Sequence, residues 1–396
     1  MISPADAEAI ILERVTAQAS ESRALADLGG AVLREPVGAT RDQPPFDRVT
    51  MDGIAFASAS GRRNFRIAGT QAAGARQMIL ADTAACFEVM TGAVVPSGCD
   101  CVVPVERIEV RDGTAYLASD LEVSPGMNIH RRGFDCKAGT ALLQPGERLG
   151  PAQIAVIASA GLASVQVSRS PRIAVISTGD ELVEPGEPAA DWQIYRSNAY
   201  AVAAALQRRG YRDLTHDHLP DLPEVLRRRL RTHLDTQDVL ILSGGVSMGK
   251  FDYVPQILEE LGVRVAFHKV AQRPGKPLWF GTGEQGQAVY ALPGNPVSTL
   301  MCLTRYVYPG LAATLSEMRS PPQLVALAES FEVKPALSVF LPVTLRTDEF
   351  GAVTAQPRPT RGSGDFTSLL GTDGFVELPP GPLTLARGVT APFYAW

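Results

Sequence analysis

Three short glycine-bearing segments each follow a strongly apolar run. Ser177, Thr178, Gly179, Asp180 and Glu181 follow RIAVI, and Ser243, Gly244, Gly245 and Ser247 fall in the SGGVS that follows DVLIL. Pro293, Gly294, Asn295, Pro296 and Ser298 fall in the LPGNPVS that follows AVYA. Backbone N–H groups in such turns, together with the N-terminus of a following helix, form a cradle for an anion. Each glycine taken alone reads as an ordinary turn residue. Three such loops after consecutive apolar runs point instead to a phosphate-bearing ligand. G-x-x-x-x-G-K-[ST] does not occur, which excludes a P-loop.

Cations and carboxylates accompany these loops. The chain has only five lysines, and Lys250, Lys269 and Lys276 fall in one short stretch. Lys269, Arg273 and Lys276 belong to HKVAQRPGKPLWF, where the prolines stiffen the turn. Lysine acts on an oxyanion as a point charge, and arginine can hold one through two parallel donors. Asp180, Glu181, Asp221 and Asp252 each lie just after a strand or at the start of a helix. They read either as helix caps or as carboxylates that hold Mg²⁺ against a substrate phosphate.

The elements that must position these groups are legible as alternation. RIAVIST, DVLILS, VAFHKV, LWFG and AVYALPG read as strands. SNAYAVAAALQRRG, DLPEVLRRRLRTHL, DYVPQILEEL and NPVSTLMCLTRYVY read as helices, the first capped by Ser197 or Asn198. Strands alternating with helices over this length predict a three-layer α/β domain with a largely parallel sheet. In such sheets ligands bind beyond the carboxyl ends of the strands. Residues 3–18 read as a helix with Ser3 as cap and Pro4 first. Residues 36–135 are rich in Gly, Pro and short strand-like runs (FRIAG, CVVPVERIEV, TAYLA), a β-rich unit. Residues 151–162 form a helical connector, and the tail from about 317 returns to β character.

Composition bounds the function. A chain of 396 residues with 45% hydrophobic and 20% charged residues suits a multidomain globular protein. The net charge of −5 gives no basis for non-specific nucleic-acid binding. No signal-peptide pattern opens the sequence and no apolar run reaches the length of a membrane span, so a cytoplasmic location is expected. Five scattered cysteines without a C-x-x-C pair predict neither a disulfide framework nor a zinc site.

With these motifs in place, the chain resembles the molybdopterin molybdenumtransferase family, which includes the C-terminal domain of gephyrin. The resemblance runs in order through PPFDRVTMDGIA, MTGAVVPSGCDCVVPVE, GMNIHRRGFDCKAGTALL, STGDELVEPG, QIYRSNAYA, LSGGVSMGKFDYV, HKVAQRPGKPLWFG, LPGNPVS and RGSGDFTSLL. It implies four regions: 1–38 with 134–168 as a helical and extended dimerisation region, 39–133 as a β-rich insertion, 169–316 as the molybdopterin-binding α/β domain, and 317–396 as a C-terminal β-barrel-like domain. It further implies a homodimer with a shared active site, in which the insertion closes the partner's cleft. The implied reaction takes adenylylated molybdopterin and molybdate, uses Mg²⁺, and yields molybdenum cofactor and AMP. By matching position, Asp52, Thr91, Glu181, Asp221 and Asp252 would be catalytic, with Asp221 and Asp252 on the metal. The residues of the three glycine loops, together with Lys269, Arg273, Lys276 and Ser363, would bind substrate. A molybdopterin adenylyltransferase and recipient molybdoenzymes would be further partners.

The chain departs from the family's usual pattern at Ile54, Arg196, Lys250, Leu337 and Pro342. The last two stand where the resemblance implies arginines, one of them near the molybdate site, and Arg358 or Arg361 is the candidate to substitute. These departures leave a second reading open, a diverged paralogue that carries the pterin without inserting metal.

Overall fold

The computed structural model describes residues 1–246 and 253–396, so Ser247 and Asp252 lie outside the described residues. The chain divides into two compact units. One comprises Met1–Glu35, Pro145–Gly150 and Ser164–Trp396; the other comprises Pro36–Gln144 and Pro151–Ala163.

The larger unit is built on a six-stranded sheet. Its order is Leu214–Leu219, Ile173–Thr178, Val239–Ser243, Ala288–Leu292, Trp279–Thr282, Arg264–His268. The first four strands run parallel, while Trp279–Thr282 is antiparallel to both of its neighbours. Alternate residues enter two separate apolar clusters, as a strand covered on both faces requires. Ile173 and Val175 pack with Val202 and Leu206 of the helix Ser197–Arg208 and with Val297 and Met301 of Pro296–Cys302. Ala174 and Ile176 pack instead with Leu226, Leu230 and Leu234 of Pro223–Thr236 and with Ile257 of Val254–Glu260. Those three leucines recur every fourth residue, so they fall on one helix face. Each contributes about 1.5–3 kcal/mol by leaving water.

Several local outcomes differ from expectation. The strand Leu214–Leu219 is not foreshadowed by its sequence, LTHDHL, which is polar at its centre. Its one buried acid is neutralised from the adjacent helix: Arg229 Nη2 and His233 Nε2 each reach Asp217 at 2.7 Å. The N-terminal helix spans Pro4–Arg14 rather than reaching residue 18. Ser3 and Asp6 form a reciprocal capping box at its start, and Val15 turns extended at its end. Ser197 is the first helical residue after Arg196, so neither it nor Asn198 caps that helix. The closing helix Pro296–Cys302 widens into a π-type turn over Leu303–Val307 before Tyr308–Thr314 continues it.

The tail forms a closed five-stranded barrel, Ser338–Thr347, Val353–Pro357, Gln323–Leu327, Thr390–Ala395 and Gly374–Leu378, the last pairing back with the first. Closure removes the free strand edges. The two-residue strand Gln272–Arg273 joins the barrel strand Ser338–Thr347 in parallel register. Arg305, in the π-type turn, ties the barrel to the N-terminal helix. Its Nη1 donates to Glu8 at 2.5 Å and its Nε to Glu377 at 2.7 Å, with only 5% of the side chain exposed.

The smaller unit carries a six-stranded sheet ordered Cys101–Pro104, Gly53–Phe56, Ala85–Val89, Asn64–Gln71, Thr114–Leu117, Ile108–Arg111. The run CVVPVERIEV, read as one strand, is two strands separated by a 3₁₀ turn at Val105–Arg107, just after Pro104. Ile54, Phe56, Phe65 and Val103 fill one face, and Ala55, Phe87, Val89 and Val102 the other. Among the described residues no helix is long and apolar enough to cross a membrane.

Candidate functional site

The sheet order brings the three glycine loops together. Ile173–Thr178, Val239–Ser243 and Ala288–Leu292 are adjacent and parallel, with Ser177 opposite Ser243 and Ser243 opposite Leu292. Their carboxyl ends therefore open side by side. The chain leaves Ile173–Thr178 toward Leu214–Leu219 on one side and returns as Val239–Ser243 on the other, which is the switch point where a crevice forms. A cleft of about 700 Å³ lies there. Ser177, Thr178, Gly179, Glu181, Asp221, Ser243, Gly244, Gly245, Pro293, Gly294, Asn295 and Pro296 line it, as does Arg196.

The loops are packed tightly enough to need glycine. Gly244 has φ +102°, and a Cβ there would stand 2.5 Å from Thr178 O and 2.8 Å from Thr178 Oγ1. Not every expected cradle donor is spare. The Gly179 N–H donates to Leu219 O, that of Gly244 to Leu292 O, and that of Val297 to Ser363 O. Polar side-chain atoms compensate: Ser177 Oγ, Thr178 Oγ1, Asn198 Oδ1 and Arg196 Nε are buried without a hydrogen-bond partner among the described residues. An unpaired buried polar atom is costly, so four around one cleft mark a polar site.

Asn198 is a cleft residue that its sequence context, a helix start, concealed. Its Nδ2 donates to Gly294 O at 2.7 Å, across 96 residues, which fixes its oxygen as an acceptor. The acids are held as well. Asp180 Oδ1 accepts the Asp221 N–H at 3.0 Å. The backbone of Glu181 accepts from Ile194 at 2.9 Å, in the two-stranded rim Leu182–Val183 with Ile194–Tyr195. Arg196 is paired with Glu184 at 2.7 Å.

A second cavity, of about 680 Å³, adjoins the first and shares Pro277, Pro293 and Asn295 with it. Arg273, Lys276, Ser298 and Ser363 line it, so two of the three sequence-derived cations and the GSG serine converge. Asn295 Nδ2 donates to Ser363 Oγ at 2.7 Å. Among the described residues Arg273 and Lys276 have no carboxylate partner. Leu337 and Pro342 line this same cavity, and so does Arg361. Arg358 is not among the lining residues; its backbone N–H donates to Pro342 O. Lys269 lines neither cavity and sits at the head of the loop with φ +75°, an unusual conformation for a side-chain-bearing residue.

Asp52 and Thr91 belong to the smaller unit. Gly53–Phe56 and Ala85–Val89 are antiparallel neighbours with Gly53 opposite Val89. The residue before one strand therefore meets the turn after the other. Thr91 donates both its hydroxyl and its N–H to Asp52, which holds that carboxyl below its ordinary range.

Profiles of known families match nearly the whole chain. "MoeA N-terminal region (domain I and II)" matches residues 2–161, "Probable molybdopterin binding domain" residues 174–313, and "MoeA C-terminal region (domain IV)" residues 325–396. A molybdopterin molybdenumtransferase of Synechocystis is 41% identical over 371 residues, 93% of each chain. One of Haemophilus influenzae is 31% identical, covering 89% of this chain and 88% of that protein. The crystal structure of a molybdopterin biosynthesis MoeA protein from Pyrococcus horikoshii aligns with TM-score 0.81 at 30% identity, covering 100% of this chain and 99% of that one.

Proposed function

Because the chain belongs to the molybdopterin molybdenumtransferase family, we propose a division of labour between its two adjoining cavities. The chain is a transferase of molybdenum-cofactor synthesis that inserts molybdenum into molybdopterin; no feature favours a carrier over an insertase. The finer reading concerns how. The cleft over the glycine loops takes the phosphate end of adenylylated molybdopterin. The cavity with Arg273, Lys276, Arg361 and Ser363 takes molybdate. The observation that carries this is the wall the two cavities share, Pro277, Pro293 and Asn295. Pterin and oxyanion would bind on either side of three short, stiff residues.

In this reading water attacks the adenylyl phosphorus, the bridging P–O bond breaks with its oxygen left on the pterin phosphate, and AMP leaves with release of a proton. Positioning and charge stabilisation dominate such a cleavage. Glu181 and Asp221 line the cleft with hard carboxylate oxygens, a donor set that suits Mg²⁺. Asp221, with Asp252 outside the described residues, would hold that ion, and it would neutralise the pyrophosphate. Ser177, Thr178 and Asn198 orient the substrate through their unpaired polar atoms. The sheet with helices on both faces acts as a three-layer domain. We further read the assembly as a four-region subunit in a homodimer, where the partner subunit's Asp52 and Thr91 complete the cleft.

The test is incubation of purified protein with adenylylated molybdopterin, Mg²⁺ and molybdate. Release of AMP with formation of active cofactor is expected, and both should disappear in Asp221→Ala. Tight pterin binding with neither product would overturn the insertase mechanism.

A further inference from the structure

Beneath the turn that carries Arg273 and Lys276 lies a polar network sealed from water. Gln272 and Tyr306 are both fully buried. The Tyr306 hydroxyl donates to Gln272 Oε1. Gln272 Nε2 donates to Gly275 O at 3.2 Å and contacts Cys302 Sγ at 3.5 Å, and Cys302 Sγ in turn reaches Gly275 O. Gly275 has φ +90°, and a Cβ there would lie 2.7 Å from both Cys302 Sγ and Gln272 Nε2. The turn is therefore pressed onto the network with no spare room.

The π-type turn at Leu303–Val307 makes this possible. Adjacent residues in it serve different partners: Arg305 reaches Glu8 and Glu377, and Tyr306 reaches Gln272. Such local widening of a helix often accompanies function. Gln272 also lies opposite Ser338 in the parallel pairing to the barrel, so one residue links the cationic turn, the closing helix and the barrel strand. Tyr306 belongs to an otherwise apolar cluster. A hydrocarbon pair would fill that space without the cost of burying amide and hydroxyl. What the polar pair adds is a fixed geometry, since a satisfied buried network rigidifies what it touches.

We propose that Gln272 and Tyr306 are positioning residues for the molybdate cavity. They hold the backbone at Gly275 so that Arg273 and Lys276 converge on one oxyanion. This rests on the reading that the cavity takes molybdate. Neither residue lies over the glycine-loop cleft, so pterin binding is independent of them.

The test compares wild type, Tyr306→Phe, and Tyr306→Phe with Gln272→Met, using molybdate alone in calorimetry and the KM for molybdate in AMP release. Tyr306→Phe is expected to weaken molybdate binding and raise that KM about tenfold, the range for one lost hydrogen bond that leaves its partner buried and unpaired. Its kcat and its affinity for adenylylated molybdopterin should stay near wild type. The double variant, with no orphaned polar atom, should recover thermal stability but not molybdate affinity. Recovery of both, or an unchanged KM in Tyr306→Phe, overturns the positioning role. Wild-type protein that binds no molybdate overturns the assignment of the cavity, and this inference with it.

Discussion

Thr91 donates two hydrogen bonds to a single oxygen of Asp52, one from its backbone N–H at 2.6 Å and one from its hydroxyl at 2.7 Å. Both favour the ionised carboxyl, and the hydroxyl contributes more. The carboxylate is therefore oriented as well as charged.

Thr91→Val keeps the N–H and removes the hydroxyl. The Asp52 pKa should rise toward its ordinary value of 3.8, readable by carboxyl NMR titration. At neutral pH Asp52 stays ionised in both proteins. A fall in AMP release at that pH would then report lost orientation rather than lost charge. Asp52→Asn should cost more, about a hundredfold. Equal rates for all three proteins would remove Asp52 from the catalytic set.

Arg361 lines the same cavity as Leu337 and Pro342. Arg361→Ala is expected to raise the KM for molybdate by about ten- to a hundredfold, as for a lost charge-assisted hydrogen bond. Leu337→Arg in that background should bring it back, because the new guanidinium enters the same space. An Arg361→Ala protein with unaltered molybdate KM would show that Arg273 and Lys276 suffice.

Asp238 offers a check on stability. Burial raises its pKa, but hydrogen bonds from Arg169 and Arg172 outweigh this and hold it at about 2, below the ordinary 3.8. A lowered folded pKa gives stability that is present in full above 3.8 and lost as pH falls toward 2. The amount is on the order of 2 kcal/mol. Denaturant midpoints across that window should fall more steeply for wild type than for Asp238→Asn.

What could be read in advance follows from where the information sits. The strands Ile173–Thr178 and Val239–Ser243 are apolar runs ended by glycine, a pattern within a few neighbouring residues, and the site loops came with them. Leu214–Leu219 escaped because Asp217 is acceptable there only through Arg229 and His233, which reach it from the next helix. Asn198 escaped likewise, since its partner Gly294 is 96 residues away. The convergence of Arg273, Lys276 and Ser363 needed the barrel to close. The two-donor bond from Thr91 to Asp52 needed two strands to pair, and only family resemblance pointed to it.

The double tie of Arg305 to Glu8 and Glu377 bears on how the protein is made. The smaller unit ends at Ala163, so all of its residues are made before the last strands of the larger one. In the larger unit the first helix and one of the last strands neutralise the same buried guanidinium. The ion-pair network that Glu8 enters is therefore complete only once Glu377 has been made. A chain that stops before Glu377 leaves Arg305 without one of its two acids.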